Sequence, residues 1–248
     1  MGEAGGHPLT NLMIMLNVAA FLLVFSLPEG LFDQAFGLLD FSAGSSLQLW
    51  RWVTSLFLHA DASHLFFNMI ALYVFGRIFE EDAGPGKWLA VYFASGIAGS
   101  ALFGLTSLMP AVGASGCIFG LMGGAMLLKP KEIVNLYVIP LPLGLIAALY
   151  MLSQVALAAS PPATAGVAYM AHIGGLLAGS ALTFWFKPRD AAKGLLMLLA
   201  LFGLLLILFP LVSLAVDIGS IILDVIDYAV GIVLYGAAGL LSHVWQSF

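Results

Sequence analysis

Residues 112–120, with the sequence VGASGCIFG, place the hydroxyl of Ser115 between glycines at the start of an apolar run that continues to Lys129. The chain as a whole is 62% hydrophobic and only 8% charged, whereas soluble domains contain about 25% charged residues. This composition predicts an all-α, multi-pass integral membrane protein. The serine is then expected to lie within the bilayer.

Further apolar runs long enough to cross a hydrocarbon core of about 30 Å are spread along the chain. They are 9–27, 63–80, 87–108, 115–128, 133–158, 167–187 and 194–216, with a further candidate at 219–241. This last candidate carries Asp224 and Asp227 on one helix face. It is therefore predicted as either a spanning or an interfacial helix.

The basic residues predict the orientation of these spans. Seven of the eight lysines and arginines fall on one side, which the positive-inside rule assigns to the cytoplasm. The N-terminus is then cytoplasmic, and the long loop 28–62 faces outward and lies partly in the membrane interface, where tryptophan is favoured. We expect the cell membrane as the location. The net charge of −5 includes no basic patch, so nucleic acid is not an expected partner.

The fourth run is too short for the membrane it must cross. Ser115 precedes Lys129 by 14 residues (129 − 115), or about 21 Å of helix, against a core of about 30 Å. The helix is therefore predicted to begin inside the membrane, and residues 109–114 must dip to meet it. Irregular backbone at that depth is tolerated where protein buries it or water reaches it, which predicts a water-filled recess above Ser115.

His172 is predicted to lie at nearly the same depth. It precedes Lys187 by 15 residues (187 − 172), about 22 Å of upright helix. Small residues let two membrane helices approach closely, and close approach would bring the serine and the imidazole within hydrogen-bond distance. The glycines that could do this are Gly116, Gly120 and Gly124 on one helix and Gly175 and Gly179 on the other.

Each of the two residues also has a purely structural interpretation. Ser115 could be a packing residue at a glycine-rich interface, and His172 could hydrogen-bond a neighbouring helix. Their matched depth favours a nucleophile and its base. Between Asp82 and Asp190 the only acid is Glu132, at the boundary of a span, so a Ser-His dyad is expected and not a triad with an acid.

His64 and Asn68 are candidates for stabilising an oxyanion. At positions i and i+4 they share one helix face, and their side chains could donate to a developing alkoxide together with the backbone N–H of Ser115. The structural alternative is that they cap or bridge helices. A zinc site built from His59, His64 and His172 is also conceivable. It ranks lower because it gives the serine segment no role, and no metal or other cofactor is expected.

Three motifs follow one another along these spans: WR…H(x4)H(x3)N, then GASG at 113–116, then AHIGG at 171–175 followed by Gly179. In this the chain resembles the rhomboid intramembrane serine proteases over residues 8–188. An acidic motif of that family is similar to the segment that contains Gly76, Glu80 and Gly84. The first motif comprises Trp50, Arg51, His59, His64 and Asn68.

The resemblance implies a six-helix rhomboid core, for which we expect residues 1–189. It implies Ser115 as nucleophile, His172 as general base, and His64 and Asn68 in the oxyanion hole. The substrates would be transmembrane proteins cleaved within the lipid bilayer. A client-binding relative without protease activity normally lacks the serine or the histidine. A solute transporter would be expected to show polar residues across the whole membrane.

Two features depart from the family pattern. Many members have tyrosine four residues after the serine, where this chain has Phe119; stacking on the histidine can survive, but the phenol hydrogen bond cannot. The extension 190–248 lies outside the core and is predicted to carry a seventh transmembrane helix and an eighth spanning or interfacial one. The resemblance also implies that His59 and Arg51 shape the outer loop and take no part in the chemistry.

Overall fold

A computed structural model describes residues 6–136, 139–158 and 169–204, with isolated positions as far as 228. The prediction of an all-α, multi-pass membrane protein is confirmed, with one short β-hairpin added. The helices are α1 (Pro8–Phe25), α2 (Glu29–Leu39), α3 (Arg51–Thr54), α4 (Ala62–Ala83), α5 (Pro85–Thr106), α6 (Ser115–Leu128), α7 (Leu143–Ala158), α8 (Tyr169–Phe186) and α9 (Pro188–Leu208). The hairpin pairs β1 (Ile133–Leu136) with β2 (Ile139–Pro142).

Four of the described helices are long and apolar enough to cross a membrane, namely α1, α4, α5 and α9. Helix α6 is a shorter apolar helix that begins at Ser115, as the depth count predicted. Helix α9 begins at Pro188, six residues before the predicted run 194–216 (194 − 188), because proline suits the first turn of a helix. The candidate at 219–241 falls almost wholly outside the described residues.

The predicted span 133–158 is wrong over its first part. Residues 133–136 and 139–142 pair as antiparallel strands, with Ile133 opposite Pro142, and α7 begins only at Leu143. Pro140 and Pro142 favour extended backbone in the residues that precede them. The N–H of Leu143 donates to the carbonyl of Glu132 at 2.7 Å, which closes the hairpin against the helix. A continuous apolar run does not distinguish these alternatives.

The outer loop is held by side chains that cap the end of α2. The indole N–H of Trp50 donates to the carbonyl of Leu38 at 3.1 Å. Arg51 donates to the carbonyl and the carboxylate of Asp40 at 2.9 and 2.7 Å, so carbonyls that lack intrahelical partners are satisfied. Burial raises the pKa of Asp40, and the guanidinium of Arg51 acts in the opposite direction. Arg51 therefore holds the loop in shape.

The opposite end of the bundle, where Lys129 and Lys187 lie, is tied together by acids of α4. The buried carboxylate of Glu80 accepts from the backbone N–H groups of Leu9 and Thr10 at 2.9 and 3.0 Å. A carboxylate is favoured at a helix N-terminus, where N–H groups lack partners. Helix α1 is thus capped by α4. At this end Lys129 pairs with Glu81 and Lys187 with Asp82, and the His7 ring lies 3.3 Å from the Glu81 carboxylate.

Helix α9 starts with a close backbone contact to α6. Ala191 is fully buried, and a Cβ at Gly194 would overlap the carbonyl oxygen of Leu127. At Gly203, on the same helix, an added Cβ would have no described atom within 4 Å. The two glycines therefore form a matched pair for testing this contact.

Gly194→Ala is expected to destabilise the protein by about 1–3 kcal/mol, the usual cost of overpacking. Gly203→Ala should leave the stability unchanged or raise it by up to about 1 kcal/mol, because alanine is the better helix former. The measurement is the apparent Tm of each variant in detergent at one scan rate. Equal shifts for the two variants would show that the contact with Leu127 contributes nothing.

Candidate active site

Ser115 is the first residue of α6, and the segment before it is fixed by backbone hydrogen bonds. Ala111 and Phe41 exchange two of them, at 3.2 and 2.7 Å, and the N–H of Gly113 donates to the carbonyl of Ser55 at 2.9 Å. The irregular backbone at the predicted depth is thus satisfied by the outer loop. The position of the serine hydroxyl depends on that loop as well as on α6.

The side chains of Ser115 and His172 are in hydrogen-bond contact. The serine Oγ lies 2.9 Å from the imidazole Nε2, within the range required for direct proton transfer. His172 sits in the first turn of α8 with only 8% of its surface exposed. Its ring is therefore shielded from bulk solvent on most sides.

Glycines on α6 and α8 make this contact possible. A Cβ at Gly175 would overlap the carbonyl oxygen of Gly116, and one at Gly179 would overlap that of Gly120. The two backbones touch over two helical turns, as small residues in membrane helices permit. Four of the five glycines named from the sequence therefore pack as expected.

The fifth glycine and the helix α5 behave differently from the expectation. The atoms nearest to a Cβ at Gly124 belong to the ring of Phe79, from α4, and to the hydroxyl of Thr183, from α8, so this glycine meets side chains there. Gly99 of α5 packs against the carbonyl oxygen of Ala171, the residue before His172. The sequence motifs did not indicate this third helix, although the small residues 95–96 and 99–100 (SG and GS) mark its contact face.

His64 and Asn68 of α4 both face Gly113, which lies two residues before Ser115. Gly113 has φ +116°, and a Cβ there would lie 2.8 Å from the His64 ring and 3.5 Å from the amide nitrogen of Asn68. Glycine is needed for the backbone conformation and for the approach. The Asn68 amide nitrogen is buried and has no hydrogen-bond acceptor among the described residues, so it is a donor without a resting partner.

A profile of the rhomboid domain matches residues 46–189, more than half of the chain. The chain belongs to the rhomboid family. It is 30% identical to the rhomboid protease AarA of Providencia stuartii over 207 residues, which cover 72% of each protein. Similarity to the rhomboid protease GluP of Bacillus subtilis is 39% over 92 residues, 37% of this chain and 18% of that protein.

A third relative, the rhomboid protease GlpG of Pectobacterium atrosepticum, is 28% identical over 179 residues, 72% of this chain and 62% of that protein. The chain therefore spans less than two thirds of two of these three relatives.

In this rhomboid, His59 is a buried neighbour of His64. Its ring is 99% buried and packs edge-on against the ring of His64, with 5.0 Å between centroids. Burial lowers the pKa of His59 to about 4, with His64 acting in the same direction. Among the described residues, no three His, Cys, Asp or Glu side chains converge as metal ligands would, so the zinc alternative has no ligand set there.

The buried His59 makes stability depend on pH. Its folded-state pKa of about 4 lies below the ordinary 6.5, so between these values the unfolded chain binds more protons, and stability falls as pH is lowered through this window. His59→Phe keeps a ring and removes the titration. The Tm of the variant minus that of the wild type should therefore rise as pH is lowered from 7 to about 4. A difference that stays constant would contradict this.

Two further features of this rhomboid lie next to Ser115 and His172. The ring of Phe119 lies flat on the imidazole of His172, with 4.3 Å between centroids and 8° between planes, so stacking is present without the phenol. A small, partly open cavity borders Ser115, and Ser55 and Ser100 line it. Neither of these serines stood out in the sequence, because neither belongs to a recognisable motif.

Proposed function

We propose that the protein is an intramembrane serine endopeptidase that hydrolyses peptide bonds in or near transmembrane segments of other membrane proteins. The observation that supports this most directly is the 2.9 Å contact between Ser115 Oγ and His172 Nε2 within an apolar bundle. A packing serine needs no such partner. An imidazole at this distance is the arrangement that activates a serine hydroxyl.

The proposed reaction is acyl transfer through a Ser-His dyad. With its proton on Nδ1, His172 accepts the Ser115 proton at Nε2, and the alkoxide attacks the substrate carbonyl. His172 then gives that proton to the leaving amine. Water hydrolyses the acyl-enzyme by the same route in reverse, which restores the free serine.

The negative charge of the tetrahedral intermediate needs donors that are already in place. We assign this role to the Asn68 amide, to His64 and to the backbone N–H of Ser115. The last is the first N–H of α6, which has no acceptor within the helix and lies at its positive end. The unpartnered amide nitrogen of Asn68 supports its assignment, since forming the oxyanion would break no existing hydrogen bond.

The substrate must expose its backbone before it can be cut, because a helix uses its carbonyls in internal hydrogen bonds. We propose that it enters from the lipid bilayer between α4 and α7, as the family resemblance implies. The active site would open to the outer side of the cell membrane, with the N-terminus in the cytoplasm. The clustering of basic residues at the other end supports this orientation.

The test is reaction of the purified protein with a fluorophosphonate probe and with a model single-span substrate. Wild type should be labelled at Ser115 and cleave the substrate, and Ser115→Ala should do neither. Ser26→Ala, an exposed serine after α1, controls for nonspecific labelling. Absence of labelling and cleavage in wild type would favour a client-binding relative, and cleavage by Ser115→Ala would overturn the proposal.

A further inference from the structure

Three rings from three different helices lie in one stack. Tyr150 of α7 covers one face of Phe119, with 5.1 Å between centroids and 18° between planes. His172 of α8 covers the other face at 4.3 Å and 8°. The stack therefore runs from the surface of α7, through α6, to the imidazole that contacts the serine.

The middle ring of the stack is enclosed, and the outer ring is not. Phe119 is 4% exposed, whereas Tyr150 is 45% exposed. Without Tyr150, one face of Phe119 would be uncovered. Phe119 has no hydroxyl, so only packing fixes its orientation, and the covering ring supplies part of that packing.

We propose that Tyr150 is a positioning residue for His172, acting through Phe119; this rests on the proposed dyad mechanism. A flat ring pressed against Phe119 keeps it parallel to the imidazole. The imidazole in turn keeps Nε2 directed at Ser115 Oγ. Loss of orientation at a reacting group lowers the rate of the chemical step, since fewer encounters have the required geometry.

Because Tyr150 belongs to α7, the stack also links the His172 imidazole to the position of that helix. The inner end of this helix is anchored, because Leu143 and Ala147 are fully buried. Tyr150 follows Ala147 by three residues (150 − 147), and both Leu149 and Tyr150 are exposed. A displacement of α7 at the level of Tyr150 would therefore shift the stacked rings. The orientation of the His172 imidazole then depends on the position of α7.

The first experiment compares Tyr150→Leu with Tyr150→Phe. In the leucine variant, kcat and the rate of fluorophosphonate labelling of Ser115 should each fall about tenfold, and KM should stay within about twofold of wild type. A tenfold loss corresponds to about 1.4 kcal/mol, which is within the range for an aromatic pair. The phenylalanine variant should recover both rates. Leu149→Ala, at an exposed neighbouring position of α7, should match wild type.

The labelling rate separates positioning from substrate access. If α7 only controlled access, Tyr150→Leu would leave labelling by the small probe unchanged or make it faster, and that result would overturn the proposal. An equal loss in Tyr150→Phe would also overturn it, because the ring would then not be what matters. Melting temperatures of all variants identify any loss that comes from misfolding.

A double-mutant cycle with Phe119→Leu tests whether Tyr150 acts on His172 through Phe119. Once Phe119 is gone, Tyr150→Leu should have little further effect on kcat or labelling, because the path to His172 is already broken. Losses that simply multiply would show that Tyr150 acts independently and would contradict the proposal. A wild type that neither labels nor cleaves would defeat the proposed function itself, whereas an active wild type with silent Tyr150 variants would defeat only this inference.

Discussion

His172→Ala is expected to lower kcat for cleavage of a single-span substrate by about 10²–10⁴-fold, the contribution of a positioned general base. The serine hydroxyl then has no group 2.9 Å away to take its proton. KM should change little, because the imidazole acts on the serine and not on substrate binding. The measurement is initial rate against substrate concentration in detergent or reconstituted vesicles.

A second variant at this position separates basicity from hydrogen bonding. His172→Asn keeps a polar group next to Ser115 but has no basic nitrogen, so it should lose as much activity as the alanine variant. Trp185→Phe, at an 83% exposed position near the end of the same helix, controls for disturbance of α8. Retention of more than a tenth of the activity in His172→Asn would contradict the assignment of His172 as base.

Asn68→Leu is expected to lower kcat by about 10²–10³-fold, as removal of an oxyanion donor does, without lowering stability. Leucine has the same branched shape and the same number of side-chain heavy atoms, and the amide nitrogen has no acceptor among the described residues. Removing a buried donor that lacks a partner relieves a desolvation cost, so Tm should be unchanged or slightly higher. Rates and melting curves are measured on the same preparation.

The combination of results at Asn68 is what distinguishes a catalytic role from a structural one. A helix-bridging asparagine would show a loss of Tm in parallel with the loss of activity. A substrate-binding asparagine would show a rise in KM with kcat unchanged. Either pattern would remove Asn68 from the proposed oxyanion hole and leave His64 and the Ser115 N–H as the donors.

The contact between Ser115 and His172 could be predicted because helix depth follows from counting. Both residues lie close to 15 residues from a basic boundary, and upright helices convert such counts directly into height. Glycine spacing then indicated which faces meet. The fold class and the short helix α6 followed from the same hydropathy and length arguments.

Other features depended on contacts that no local pattern encodes. The hairpin at 133–142 has the composition of a span, and only its pairing and the prolines distinguish it. Tyr150 reaches Phe119 across two helices, and no spacing rule relates these positions. The sequence does not reveal that the Asn68 amide nitrogen lacks an acceptor among the described residues, because hydrogen-bond satisfaction depends on the whole environment of the side chain.

The glycine contact between α6 and α8 also limits how this protein can evolve. Every amino acid that a point mutation can substitute for glycine carries a Cβ, and at Gly175 or Gly179 that atom would overlap the opposing backbone. Any single amino-acid substitution at Gly175 or Gly179 is therefore expected to disturb the contact. Substitutions can therefore accumulate in α6 and α8 only on their other faces. The sequences of these two helices should change more slowly in evolution than those of the surrounding helices.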